Sequence, residues 1–108
     1  MPVAPDDLPE ELRELAPAIT IRMVRGGGRR PVPPPGVPKD SPPSWVELTF
    51  EPQSPALPEL VRARLAAALG NTHFVWILEY DARSQTDNRE DAIERLKTLL
   101  GPFLASGR

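Results

Sequence analysis

His73-Phe74-Val75-Trp76-Ile77-Leu78-Glu79-Tyr80-Asp81 is the most apolar stretch of the chain, and how it is read decides the fold. Phe74, Trp76, Leu78 and Tyr80 alternate with Val75 and Ile77, so an extended backbone would carry apolar side chains on both sides. That pattern predicts a strand shielded on both faces, either inside a sheet or at an interface. The uninterrupted apolar run, Phe74 to Leu78, is far shorter than the ~20 residues a membrane helix needs.

Two further strands are predicted upstream. Ile19, Ile21 and Met23 alternate with Thr20, Arg22 and Val24, and Val46, Leu48 and Phe50 alternate with Trp45, Glu47 and Thr49. Each pattern has one apolar and one wetter face. Between the second and third strands, Ser54 before Pro55 reads as a capped helix start. Leu57, Leu60, Val61, Leu65, Ala68 and Leu69 then form a stripe, and Gly70-Asn71 closes it. After the third strand, Asp87 with Glu90 three residues on has capping-box spacing. It leads into a helix lined by Ala92, Ile93, Leu96, Leu99, Leu100 and Phe103, which Gly101-Pro102 should end or kink. A short first helix is predicted near residues 8–16, opened by Asp7, Pro9 and Glu10 and stopped by Pro17.

The expected fold is therefore α+β, with elements in the order α-β-β-α-β-α and a three-stranded sheet carrying helices mainly on one face. The first two strands are expected antiparallel. The second and third, joined through a helix, are expected to form a right-handed parallel crossover. At 108 residues the chain is expected to form one domain, residues 1–108.

A Gly/Pro-rich basic loop, residues 26–44, separates the first two strands. It opens with Gly26 to Gly28, and seven of the chain's 15 prolines fall between Pro31 and Pro43. Arg22, Arg25, Arg29, Arg30 and Lys39 supply five positive charges with no acid among them, so the net charge of −2 hides a segregated pattern. These five residues are candidate phosphate contacts for a nucleic-acid accessory role. Against it stand a pI near 5.4 and a loop with no aromatic residue to stack on bases. The glycines precede prolines rather than a helix, and no GK[ST] follows, which removes a phosphate-loop reading.

The chain has no cysteine, which excludes disulfides, iron–sulfur clusters and thiolate metal sites. Its one histidine, His73, lies roughly 20 and 26 Å along an extended strand from Glu79 and Asp81, too far for either carboxylate to orient the imidazole. No catalytic residue, cofactor or metal ligand set is assigned. A metal-dependent hydrolase would require Glu79, Asp81 and Asp91 to converge. Arginine outnumbers lysine 11 to 2, a thermophile-like composition, and the acidic, proline-bearing first residues lead us to expect a cytoplasmic chain.

These observations favour a non-enzymatic interaction module, expected to be a homodimer that binds a protein partner and no membrane. Candidate partner-binding residues are Trp45, beside the long loop on the wet face of its strand, and Val75 and Ile77 of the doubly apolar strand.

Overall fold

The computed structural model describes residues 2–25, 44–80 and 84–106. It is α+β, with one antiparallel sheet in the order β1 (Ile19–Arg25), β2 (Ser44–Phe50), β3 (Val75–Glu79). The helices are α1 (Glu59–Leu69), α2 (Gln85–Leu99) and α3 (Gly101–Ser106), preceded by a 3₁₀ helix over Glu10–Ala18. The Gly/Pro-rich loop falls outside the described residues apart from Ser44 at its end, as do Asp81 and its two successors.

The period of three in the first helix accounts for its type. Leu12, Leu15 and Ala18 are all buried, and a 3₁₀ turn of 3.0 residues keeps side chains at this spacing in line. Pro9 stands at its N-cap in place of the expected Asp7, whose carboxylate lies 3.9 Å from the Arg89 guanidinium, and Pro17 falls inside the helix, one residue before its end at Ala18.

Cross-strand register assigns the two faces of the sheet. Ile21 lies opposite Leu48, which lies opposite Ile77, and Ile19, Phe50 and Val75 form a second such row. Partners in an antiparallel ladder share a face. One face thus carries Ile19, Val46, Leu48, Phe50 and Ile77, all buried under Ala92, Ile93 and Leu96 of α2 and under Leu12 and Leu15 of the 3₁₀ helix. Each such side chain withdrawn from water contributes about 1.5–3 kcal/mol. The opposite face carries Thr20, Arg22, Val24, Trp45, Glu47, Thr49, Trp76 and Leu78, with no helix over it among the described residues.

The parallel crossover expected between the second and third strands is corrected here: β2 and β3 are antiparallel, with Phe50 opposite Val75. The chain leaves and re-enters the sheet at the same end, so residues 51–74 form an excursion beyond that end instead of a path across the sheet. Within it, α1 packs on α3, where the Arg64 guanidinium lies 4.3 Å from the centre of the Phe103 ring. The excursion also moves the helix start. Ser54 accepts from the Ala56 amide in a turn, and α1 begins only after Pro58. Leu57 is then buried ahead of the helix, whereas Leu60, expected in the stripe, faces solvent.

At the other end of the sheet, α2 is capped by Ser84, whose Oγ accepts from the amides of Thr86 and Asp87. The expected capping box at Asp87 is one turn too late. Gln85 then ties the helix to the sheet: its Nε2 donates to the Val24 and Trp45 carbonyls, each at 3.0 Å, and its Oε1 accepts from the buried Asn88. As expected, the last helical stretch breaks at Leu100-Gly101 into α2 and α3.

Two glycines distinguish backbone conformation from packing. Gly70, at the C-cap of α1, has φ +63°, whereas Gly101 has no positive φ, and neither would bring a Cβ within 4 Å of another atom. Gly70→Ala should therefore cost about 1–2 kcal/mol in urea denaturation, through backbone strain alone. Gly101→Ala should stabilise by about 0.5–1 kcal/mol through reduced unfolded-state entropy. Ser84→Ala, which removes the α2 cap, should cost about 1 kcal/mol in the same assay.

Candidate functional site

The hydrogen-bonding direction of every strand residue follows from one contact at the margin of the sheet. The Val3 amide donates to the Ile19 carbonyl at 2.8 Å, on the side of β1 away from β2. Ile19 therefore does not bond to Phe50 opposite it, and Phe50 turns its amide and carbonyl toward β3. Alternation then directs Val75, Ile77 and Glu79 to β2, and leaves Trp76 and Leu78 presenting N–H and C=O outward. Arg95 supports the same assignment, because its guanidinium reaches the Leu78 carbonyl from α2.

No strand among the described residues pairs with this outer edge of β3. Native sheets usually blunt such an edge with charge, proline or a bulge. Residues 75–79 contain no proline and no basic residue, and their register with β2 is unbroken. The one acid, Glu79, is bound through Oε1 to Arg95 Nη1 at 2.7 Å. Among the described residues the only guard on the edge is Arg95 at the Leu78 carbonyl, and at 3.4 Å that contact is long.

Apolar side chains flank the edge. Trp76 is 44% exposed and Phe74, just before the strand, 55%. Between β3 and α2 lies a groove of about 610 Å³ lined by Trp76, Leu78, Tyr80, Arg95, Thr98 and Leu99, among other residues. Leu99, on the α2 wall, is 51% exposed although its helix otherwise turns its large apolar residues inward. An unpaired strand edge beside exposed aromatics and an apolar trough can receive another extended chain: the backbone supplies affinity and the trough selects side chains.

The structure places the expected partner-binding residues elsewhere. Ile77 is 5% exposed and Val75 partly buried, both on the helix-covered face. Trp45 is on the other face as expected, but only 4% exposed, with its Nε1 donating to Glu47 Oε1. The expectation that the His73–Asp81 segment is shielded on both sides is corrected: only the Ile77 side is covered, and Phe74 and Trp76 meet solvent. Of the two sides of β3, the sequence-predicted residues Val75 and Ile77 thus lie on the covered one, and the exposed one is that of Trp76. The available signal was the Trp76 and Leu78 parity, opposite to that of Ile77.

Of the candidate phosphate contacts, Arg22 is bound to Glu47 on the open face, Nη2 to Oε2 at 2.9 Å. For Arg25 only the backbone is described, and Arg29, Arg30 and Lys39 lie outside the described residues. Of the candidate metal ligands, Glu79 is engaged by Arg95, Asp91 is exposed on α2, and Asp81 lies outside the described residues. Among the described residues no three His, Cys, Asp or Glu side chains converge on a metal-sized site.

No protein-family model matches the chain, and no curated protein or solved structure does. What the site does is therefore read from its geometry.

The contrast between the two tryptophans is directly measurable. In dilute solution, Trp76→Phe should remove most of the emission that acrylamide quenches, whereas Trp45→Phe should leave the quenchable component in place. Equal quenching of both variants would mean that Trp45 and Trp76 do not differ in exposure.

Proposed function

We propose that this chain is a non-catalytic interaction module that binds an extended segment of a protein partner along the outer edge of β3. The observation that carries the reading is that edge itself: Trp76 and Leu78 direct backbone groups outward beside the exposed Phe74, Trp76 and Leu99. The shape of the groove favours a chain over a small molecule. It is an open trough along the strand, whereas small-ligand sites bury most of the ligand's surface. A binding role also suits the site's chemistry: Arg95 is paired with Glu79, and the remaining reactive groups of the lining are the hydroxyls of Thr98 and Tyr80 and the single carboxylate of Glu94. No helix among the described residues is long and apolar enough to cross a membrane, and a cytoplasmic setting remains part of the proposal.

An extended peptide copying residues 73–80, with solubilising lysines at its ends, provides a defined probe of the edge. Titrated into isotope-labelled protein, it should shift the Trp76 and Leu78 amide resonances before those of β1. Trp76→Lys should weaken that binding about tenfold or more, as the loss of a central aromatic anchor does. Unmoved Trp76 and Leu78 resonances at saturating peptide, or shifts confined to β1, would refute the reading.

A further inference from the structure

We infer that the partner at this edge is a second copy of the same chain, added antiparallel with Ile77 of the two copies facing each other across a two-fold axis. The inference rests on the binding edge proposed above and names its occupant.

Backbone parity singles out the register. Only Trp76 and Leu78 of β3 turn their amides and carbonyls outward, so a symmetric antiparallel mate can hydrogen-bond only through residues of that parity. Setting Trp76 opposite Trp76, or Leu78 opposite Leu78, engages one of the two residues and pushes the other past the end of the strand. Setting Trp76 opposite the second copy's Leu78 engages both residues in both copies. The axis of that register passes through Ile77, the midpoint of Val75–Glu79.

The side chains agree with the same register. On the open face, Trp76 meets the second copy's Leu78, and Leu78 meets the second copy's Trp76, two aromatic–aliphatic cross-strand pairs of a favourable kind. Beyond the strand ends, Phe74 and Tyr80 have the same parity and lie in line to extend the row. An isologous contact requires a patch complementary to itself, and this register sets Trp76 against Leu78 and Phe74 against Tyr80 in both halves of the pair.

Charge is compatible with the pairing. Glu79 is the only charged residue of β3, and the register places it opposite Val75, leaving the two Glu79 residues roughly 13 Å apart along the strands. Each is also held by its own Arg95. β1 is a poorer place for a second copy, because its margin is already engaged at Ile19 by Val3.

The area sets the strength. Trp76 and Phe74, 44% and 55% exposed, leave about 200 Å² between them for a partner, taking 150–250 Å² per aromatic side chain. With Leu99 and the strand edge added, the contact is small beside the ~800 Å² per partner of a standard interface. The pair should therefore form and dissociate with concentration. On pairing, the Trp76 amide of the second copy replaces the long Arg95 contact at the Leu78 carbonyl.

The chain's lack of cysteine makes the register testable. Trp76→Cys and Leu78→Cys variants are prepared separately, then oxidised alone and mixed. In the mixture, the thiol introduced at position 76 of one copy directly opposes the thiol introduced at position 78 of the other. Their Cα atoms would lie about 5.5 Å apart, within disulfide reach, and the other Trp–Leu pair is kept. In either variant alone the two introduced thiols are diagonal at about 7–8 Å. The mixture should form cross-linked dimer several-fold faster than either variant alone, and the parent chain should sediment as a reversible dimer at concentrations on the order of 100 μM, where small interfaces associate. Equal cross-linking with and without mixing would overturn the register. A parent chain that stays strictly monomeric would overturn the second copy as occupant. In that case the residue 73–80 peptide still shifting Trp76 and Leu78 would leave the binding edge standing, and its failure would remove both proposals.

Discussion

The fold depends on β2. Its Val46, Leu48 and Phe50 are fully buried beneath α2, and among the described residues it is the only strand hydrogen-bonded on both sides. Burial fixes which way its side chains point, because a one-residue slip would turn all three to the open face. Once β2 is set, its backbone direction alternates between neighbours, and the outward groups of β1 and β3 follow. The same constraint that builds the core therefore determines which backbone groups remain at the margins of the sheet.

The two margins are treated differently. At β1, Val3 occupies the Ile19 carbonyl, and Gln85 caps the Val24 and Trp45 carbonyls where β1 and β2 end. At β3, among the described residues, one arginine from α2 touches one carbonyl. Arg95 also neutralises Glu79, the residue that could otherwise have repelled an incoming strand. In effect, α2 shields β3 weakly while removing its only charge. That arrangement suits an edge that is covered some of the time more than one that is closed.

Much of this architecture was legible in the sequence, and the failures have identifiable causes. The alternation of Ile19, Ile21 and Met23, and of Val46, Leu48 and Phe50, found two strands and the face they share, because period two is a property of the extended backbone itself, although Met23 at the far end of that face is exposed. The Gly70 cap was equally legible, since a positive φ is a local demand. The direction of β3 was not. A helix between two strands suggests a crossover only if that helix lies on the sheet, and nothing within residues 51–74 states that α1 packs on α3 instead. Pro58 delayed the helix and left Leu57 to pack ahead of it, a tertiary outcome that the Ser54-Pro55 signal did not contain.

The candidate site was half legible for a related reason. Apolar residues on both sides of a strand say that both sides are suited to exclude water, not that this chain alone does so. Covered by α2, the Ile77 side became core; left without a helix, the Trp76 side retained the same chemistry as a surface. Trp45 shows the converse, lying on the open face yet only 4% exposed, so a residue's face in the sheet does not by itself fix its contact with water. Hydrophobic patterning records which side chains are suited to leave water, and the fold of the described residues withdraws only some of them. The exposed part here runs along a strand edge unpaired among the described residues, with Trp76 and Phe74 on one side of Ile77 and Leu78 and Tyr80 on the other, and the proposed second copy is argued from that arrangement.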